Sequence, residues 1–180
     1  LISNQDANTF FAGSVSGGLF RSTNAGASWY AVNDMEENLA VTCLAQAPNG
    51  DIYYGTGEGL YYAASGGKSM GILGEGIYKS TDGGRTWNAL PSTMTNSPQS
   101  LNSPFEYVND IVINPTNEDE DEVLAACYGS IMRSTDGGDS WNQVIGGTGN
   151  PTGYTTLRVS PSGIFYAAIG TGGTTTGIFR

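Results

Sequence analysis

An eight-residue sequence that occurs three times constrains the fold of this chain more than any other feature. It reads Ser-Thr-Asp-Gly-Gly-Asp-Ser-Trp at 134–141, Ser-Thr-Asp-Gly-Gly-Arg-Thr-Trp at 80–87 and, in weaker form, Ser-Thr-Asn-Ala-Gly-Ala-Ser-Trp at 22–29. In a tight turn the Asp or Asn oxygen accepts hydrogen bonds from backbone N–H groups, and Gly supplies the positive φ. The Trp begins the returning strand, where its ring can pack between neighbouring sheets. Because short β-prone runs flank each copy, each copy predicts a hairpin.

These residues resemble the Asp-box, or BNR, repeat family, whose pattern is Ser-x-Asp-x-Gly-x-Thr/Ser-Trp. The second and third copies match every specified position, whereas the first has Asn24 in place of the aspartate. The resemblance implies an all-β fold, a β-propeller of four-stranded antiparallel blades, in the superfamily that includes sialidases and sortilin-type receptor domains. The box residues expected to be structural are Ser22, Asn24, Gly26, Trp29, Ser80, Asp82, Gly84, Trp87, Ser134, Asp136, Gly138 and Trp141.

The family also includes xyloglucan-degrading glycoside hydrolases, a photosystem assembly factor and exported proteins of Bacteroidota with a type 9 secretion sorting domain. The segments Gly-Thr-Gly-Glu-Gly at 55–59 and Ile-Asn-Pro-Thr-Asn at 113–117 resemble this last group most. The resemblance implies a bacterial protein that is secreted or displayed on the cell surface. Components of the type IX secretion system are then among its expected partners.

Composition narrows the classes of partner and chemistry. The chain has 7 basic and 17 acidic residues and a net charge of −10, which opposes binding to nucleic acid or anionic lipid. No apolar run approaches the roughly 20 residues that span a bilayer, so membrane insertion is not expected. Histidine is absent and Cys43 and Cys127 are the two cysteines. We therefore expect two buried free thiols, no metal site and no cofactor.

The spacing of the repeat predicts how the chain divides into blades. The copies begin at 22, 80 and 134, so the period is 58 and then 54 residues, which is typical of a propeller blade with its loops. Residues 1–180 are predicted to form a partial β-propeller with blade ends near 38, 106 and 153 and a last blade truncated at 180. Closed propellers have about four to eight blades, so these three and a half blades are expected to belong to a larger propeller.

Topology predicts which face of the propeller carries a site. The Asp boxes lie at one end of each blade, whereas the two longest irregular stretches, 57–75 and 91–106, lie at the other end. Long loops on one rim of a rigid scaffold are where recognition usually occurs. The resemblance agrees, since ligands of the family bind opposite the boxes. The candidate ligand-binding residues of this face are Tyr61, Tyr62, Phe105, Asn109 and Asp110.

The first strand of each predicted blade, its inner strand, lies beside the central channel. Alignment of these inner strands singles out one carboxylate. Asn109 aligns with two threonines at 42 and 155, and Asp110 aligns with Cys43 and Thr156. Asp110 could act as a general acid or base or contact a ligand, but the sequence favours a polar channel residue that accepts hydrogen bonds from backbone N–H groups or water. Glycoside hydrolysis normally requires a second carboxylate, and the sequence does not fix the position of Glu58, Glu75 or Glu106 relative to it.

The sharpest run of charge is Glu-Asp-Glu-Asp-Glu at 118–122. Consecutive acidic residues lack the alternating ligands and the central Gly of a calcium loop. We therefore expect a solvated turn on the Asp-box face.

The sequence favours a binding or interaction module that recognises a glycan or a protein. Two alternatives stay open: a xyloglucanase-like glycoside hydrolase, and a scaffold or cargo of a secretion or assembly system. A sialidase is disfavoured because Arg21, Arg133 and Arg180 share one repeat position with Lys79 and so do not form the arginine triad of that class.

Overall fold

A computed structural model describes residues 1–32, 38–59, 71–94, 103–117, 120–146, 154–170 and 176–180. Their strands form four antiparallel sheets that follow one another along the chain. Within the described ranges, no helix is long and apolar enough to cross a membrane.

The strands of each sheet are consecutive in sequence. The first sheet contains β1 (Phe10–Ser14), β2 (Gly18–Ser22) and β3 (Tyr30–Ala31), and the second contains β4 (Val41–Gln46), β5 (Ile52–Thr56), β6 (Ile77–Ser80) and β7 (Asn88–Ala89). The third contains β8 (Val108–Ile113), β9 (Val123–Cys127), β10 (Ser130–Ser134) and β11 (Asn142–Gly146), and the fourth contains β12 (Tyr154–Val159), β13 (Phe165–Gly170) and β14 (Gly177–Phe179). A 3-10 turn, Pro104–Glu106, precedes β8.

This architecture confirms the predicted all-β class and the antiparallel blades with Asp-box hairpins. The second and third sheets have four strands each, and Ile2 forms an isolated antiparallel bridge with Phe10 beside the first sheet. The inner strands β4, β8 and β12 lie next to one another in succession. The total number of blades stays a prediction.

Neighbouring sheets stack face to face and bury the core between them. The strands β5 and β9 are buried at every residue because each lies in a sheet that is covered on both faces. Phe11 and Leu19 of the first sheet pack on Tyr54 and Tyr78 of the second. Equivalent apolar clusters join the second sheet to the third and the third to the fourth. Full burial of such a side chain contributes about 1.5–3 kcal/mol, so the interfaces between sheets hold the fold together.

The third Asp box shows why these residues recur. The carboxylate of Asp136 accepts hydrogen bonds from the Ser134 hydroxyl at 2.7 Å, the Ser140 backbone N–H at 2.9 Å and the Ser140 hydroxyl at 2.5 Å. The Ser134 oxygen in turn accepts from the backbone N–H of Gly138 at 2.8 Å. The hydrogen bonds from Ser140 and Ser134 lower the pKa of Asp136 to about 2. The motif is therefore a local hydrogen-bonded turn.

The second box has the same geometry. Burial opposes ionisation of Asp82, but hydrogen bonds from Thr86, Ser80 and the Arg85 backbone outweigh it, and the pKa of Asp82 is lowered to about 2. In the first box the Asn24 Oδ1 accepts from the Ser22 hydroxyl and the residue 28 backbone N–H, both at 2.9 Å. Its amide nitrogen then donates to the Ser28 hydroxyl at 2.8 Å. Asparagine thus preserves the turn, but its amide nitrogen donates to the Ser28 hydroxyl, whereas in the third box the Ser140 hydroxyl donates to the Asp136 carboxylate.

Ala25 makes the first box less stable than the other two. Its φ is 56°, and the glycines at the same repeat position, Gly83 and Gly137, have φ of 73° and 66°. This left-handed conformation costs a residue with a Cβ roughly 1–2 kcal/mol. We expect Ala25→Gly to raise the free energy of unfolding by about 0.5–1 kcal/mol in urea denaturation. The control is Ala27→Gly in the same turn, which should lower it by about as much; a loss of stability in Ala25→Gly would contradict the prediction.

A buried polar cluster joins the second sheet to the third. The Asp121 side chain is 3% exposed and accepts hydrogen bonds from the Tyr53 hydroxyl at 2.6 Å and the Asn49 amide at 3.0 Å. The Lys79 ammonium lies 3.3 Å from Asp121 and 2.8 Å from Asp51. Burial, followed by the hydrogen bond and charge of Asp121, raises the pKa of the Tyr53 hydroxyl far above its usual range.

This cluster corrects the interpretation of the acidic run as a solvated turn. Glu118 and Asp119 lie outside the described residues, and Glu120 is exposed, as expected. Asp121 is instead buried between sheets, and Glu122 is half-buried with an ion pair of 2.5 Å to Arg133. The run was misjudged because the partners of Asp121 lie on the preceding blade.

Candidate functional site

The rim opposite the Asp boxes includes the ends of two loops, the first at 57–75 and the second at 91–106, which contact each other. The backbone N–H of Gly74 donates to the carbonyl of Glu106 at 2.7 Å, and that of Glu58 donates to the carbonyl of Ile72 at 2.7 Å. The end of the first loop therefore lies on the 3-10 turn of the second. The predicted contact residues Tyr61 and Tyr62 lie outside the described residues.

Phe105 does not lie on the exposed rim as the sequence predicted. Its side chain is 5% exposed and packs edge to face on Trp141, with ring centroids 5.4 Å apart. The 3-10 turn buries it because Ser103 caps the turn: the Ser103 hydroxyl accepts from the Phe105 N–H at 3.3 Å, and Glu106 completes a capping box. Phe105 is a core residue. Ser-Pro-Phe-Glu at 103–106 was the signal for this turn, and sequence analysis missed it.

The predicted alignment of the inner strands is confirmed by the strand register. Cys43 pairs with Gly55, Asp110 with Ala126 and Thr156 with Ala168, so the three inner residues occupy equivalent positions.

Asn109 connects two inner strands. Its amide nitrogen donates to the Thr155 hydroxyl at 3.0 Å, and that hydroxyl donates to the carbonyl of Cys127 at 2.7 Å. At the preceding junction the Thr42 hydroxyl lies 2.5 Å from the carbonyl of Val108. These polar side chains thus tie each inner strand to the next blade.

One carboxylate oxygen of Asp110 accepts hydrogen bonds from the next blade. Its Oδ2 accepts from the Thr156 hydroxyl at 2.9 Å, the Leu157 backbone N–H at 3.0 Å and the Arg158 guanidinium at 2.9 Å. The side chain of Arg158 is largely exposed, whereas that of Asp110 is about one-fifth exposed. Three donors on β12 thus hold this oxygen, and Asp110 joins β8 to the next blade. This geometry favours the interpretation of Asp110 as a channel residue whose hydrogen bonds are satisfied within the protein.

The two cysteines are free thiols, as expected, although Cys43 is half-buried and Cys127 is fully buried. Burial of the sulfur and then the charge of Asp110 raise the pKa of Cys43 to about 12. Burial also raises the pKa of Cys127 well above its usual value. Because the thiolate is the nucleophilic form, neither cysteine is suited to covalent catalysis.

The three rim glutamates differ in exposure. Glu106 is fully buried, whereas Glu58 and Glu75 are half-buried. No group of three or more acidic or cysteine side chains in the described part of the chain is arranged to hold a metal ion. Because the side chain of Glu106 is buried, a ligand at the rim could not contact it.

A cavity of about 500 Å³ lies between the third and fourth sheets. It is on the Asp-box side, because its lining includes the turn residue Gly163 and Arg133, which directly precedes the third box. Its other lining residues include Leu124, Phe165 and Phe179. In the two preceding interfaces Trp87 and Trp141 pack against the core clusters at the Asp-box end. The cavity thus belongs to the packing of the sheets, away from the predicted ligand face.

Comparison with known proteins supports the repeat and the fold. The BNR/Asp-box repeat family model matches residues 78–89, which include the second box. No curated protein matches the chain in sequence. An ancestral GH74 enzyme of known structure is 23% identical with a TM-score of 0.70, and the match covers 94% of this chain and 21% of that one.

Two further structures have the same architecture. YCF48 bound to D1 peptide is 17% identical, with a TM-score of 0.55 and coverage of 94% of this chain and 50% of that one. The extracellular domain of a hybrid two component system from B. thetaiotaomicron is 13% identical, with a TM-score of 0.58 and coverage of 97% and 21%. The chain thus spans half or less of each of these proteins. Together, the repeat match and the shared fold support a β-propeller of the BNR/Asp-box type.

Proposed function

We propose that this chain is part of a secreted or cell-surface binding module that recognises a glycan or a protein at the face opposite the Asp boxes. The observation that carries the proposal is the engagement of Asp110: its Oδ2 accepts three hydrogen bonds from β12, one of them from Arg158. A carboxylate whose oxygen is held by three donors of the next blade joins the two blades. In the described part of the rim, a backbone hydrogen bond from Gly74 to Glu106 joins the two loops, and a rigid scaffold under loops suits recognition.

An extracellular location fits the comparisons, since one neighbour is an extracellular domain from B. thetaiotaomicron. Export by the type IX secretion system of Bacteroidota, with components of that system as partners, rests on the sequence resemblance around the boxes. A glycan ligand fits Tyr61 and Tyr62, because aromatic faces stack on sugar rings.

A glycoside hydrolase is the second candidate, and the structural likeness to a GH74 enzyme favours it. In that case Asp110 would need a partner carboxylate across the scissile bond, about 5–10 Å away. The present contacts of Asp110 would then have to break when substrate binds.

A glycan-array screen with product analysis separates the two candidates. We expect wild-type protein to bind glycan without releasing product, and the double variant Tyr61→Ala/Tyr62→Ala to bind about 5- to 150-fold more weakly, because each lost aromatic contact is worth roughly 0.5–1.5 kcal/mol. The matched control is Tyr30→Ala, an exposed tyrosine beside the first Asp box, which should bind as wild type does.

Asp110→Asn tests the hydrolase directly. Product release by wild type that is lost in Asp110→Asn would replace the binding module with the hydrolase. Absence of binding to every glycan would leave a protein as the ligand of the same face. Thermal unfolding of each variant establishes that the fold is retained.

A further inference from the structure

The turn between β4 and β5 contains Asn49 and Gly50, the one Asn–Gly pair in the sequence. In such a pair the backbone nitrogen of the glycine can attack the side-chain amide carbon of the asparagine, because glycine has no Cβ to hinder the approach. The Asn49 side chain is exposed, so water has access to it. The turn thus holds the groups that a spontaneous deamidation requires.

One hydrogen bond in this turn favours the reaction. The Asn49 Oδ1 accepts from the backbone N–H of Asp51 at 2.9 Å. When the Gly50 nitrogen attacks the amide carbon, negative charge develops on this oxygen, and a fixed N–H donor stabilises such a charge. The backbone of the turn therefore supplies an oxyanion donor for the reaction.

Two other hydrogen bonds oppose the reaction. The Asn49 Nδ2, which has to leave as ammonia, donates to the Asp121 carboxylate at 3.0 Å. The Gly50 N–H, which has to lose its proton, donates to the carbonyl of Ala47 at 3.1 Å. Asp121 is 3% exposed and belongs to the buried polar cluster between the second and third sheets, so its carboxylate holds the amide nitrogen in place. Displacement of reacting groups by about 1 Å from their reactive geometry can slow a reaction about 100-fold.

We propose that Asn49 is a site of spontaneous deamidation that Asp121 controls: the amide stays intact while the second and third sheets are packed together, and it reacts when they separate. The Gly50 nitrogen forms a bond to the Asn49 Cγ and gives its proton to water, the Cγ–Nδ2 bond breaks, and Nδ2 leaves as ammonia. Water then opens the resulting succinimide to aspartate or isoaspartate. In sum, asparagine and water become aspartate or isoaspartate and ammonia, and no oxidant or reductant takes part.

The product weakens the contact between the two sheets. The new carboxylate at position 49 replaces the amide that donates to Asp121 at 3.0 Å, so a hydrogen bond becomes a repulsion between like charges. The Lys79 ammonium already lies 2.8 Å from Asp51 and 3.3 Å from Asp121. One cation then faces three carboxylates, and a transient separation of the sheets becomes harder to reverse.

Peptide mapping by mass spectrometry during incubation in mildly alkaline buffer tests the proposal. We expect Asp121→Ala to lose the Asn49 amide at least about ten-fold faster than folded wild type does, and wild type unfolded in urea to lose it at least about ten-fold faster as well. Asp121→Asn keeps an oxygen for the amide to donate to and should react at nearly the wild-type rate. Glu120→Ala, at an exposed neighbour, is the matched control and should also react as wild type does.

A variant that is destabilised at another junction separates a local effect from general unfolding. In Gly84→Ala the added Cβ overlaps the ring of Phe11 between the first and second sheets, so the rate of amide loss at Asn49 should stay at the wild-type value. Amide loss that is no faster in Asp121→Ala than in wild type would overturn the proposal. Equal acceleration in Gly84→Ala and Asp121→Ala would also overturn it.

Asn49→Asp reproduces the aspartate product. We expect its melting temperature to lie about 3–12 °C below that of wild type, because it loses a hydrogen bond to a charged group and gains a like charge beside Asp121. Asn8→Asp, at an exposed asparagine before β1, controls for the added charge and should melt within about 2 °C of wild type. If Asn49→Asp melts as wild type does, deamidation does not weaken the sheets and the proposal fails.

Discussion

Replacement of Asp121 by alanine is expected to lower the free energy of unfolding by about 3–5 kcal/mol, the range for loss of one partner from a buried ion pair. The Asp121 carboxylate binds Lys79, Tyr53 and Asn49 on the preceding blade. Its removal leaves the Asn49 amide without this acceptor and breaks a buried polar contact between the second and third sheets. Because Lys79 keeps Asp51 as a partner at 2.8 Å, we expect a value near the lower end of the range.

Urea denaturation of Asp121→Ala beside Glu120→Ala checks this prediction. Glu120 is adjacent, acidic and exposed, and replacement of such a surface residue is expected to change stability by less than about 0.5 kcal/mol. Equal effects of the two substitutions would mean that Asp121 is solvated, as its sequence context had indicated.

Substitution of Gly84 by alanine is expected to lower the free energy of unfolding by about 2–5 kcal/mol. The φ of Gly84 is 75°, which costs a residue with a Cβ roughly 1–2 kcal/mol. A Cβ at this position would also overlap the ring of Phe11 on the preceding blade, and overpacking of that kind costs about 1–3 kcal/mol. The Asp-box turn of the second sheet is therefore part of the interface with the first.

Gly83→Ala is the matched control for the overlap. Gly83 has a φ of 73°, and the nearest atom to its added Cβ is the Arg85 Nη1 at 3.9 Å. This variant should lose only the backbone contribution of about 1–2 kcal/mol. In a double-mutant cycle, Phe11→Leu should cost less in the Gly84→Ala background than in wild type, because the smaller side chain relieves the overlap. Equal losses in Gly83→Ala and Gly84→Ala would show that the ring moves aside freely.

The sequence predicted features whose causes are local. Every hydrogen bond described here for the Asp136 turn joins residues at most four positions apart, so the octapeptide alone specifies it. Repetition of that turn, together with Gly and Pro between β-prone runs, was sufficient to place the strands and to align Cys43, Asp110 and Thr156 in one register. Short-range hydrogen bonding and the alternation of side chains along a strand do not depend on the neighbouring blade.

Tertiary structure alone decided what the candidate residues do. Asp121 and Tyr53 are 68 positions apart, and Asp110 and Arg158 are 48 apart. Both pairs form because one blade is packed on the next, and nothing local to either carboxylate distinguishes a solvated charge from a buried one. The sequence determined the blade and its turn, and the stacking of blades decided which polar groups are buried and which residues they pair with.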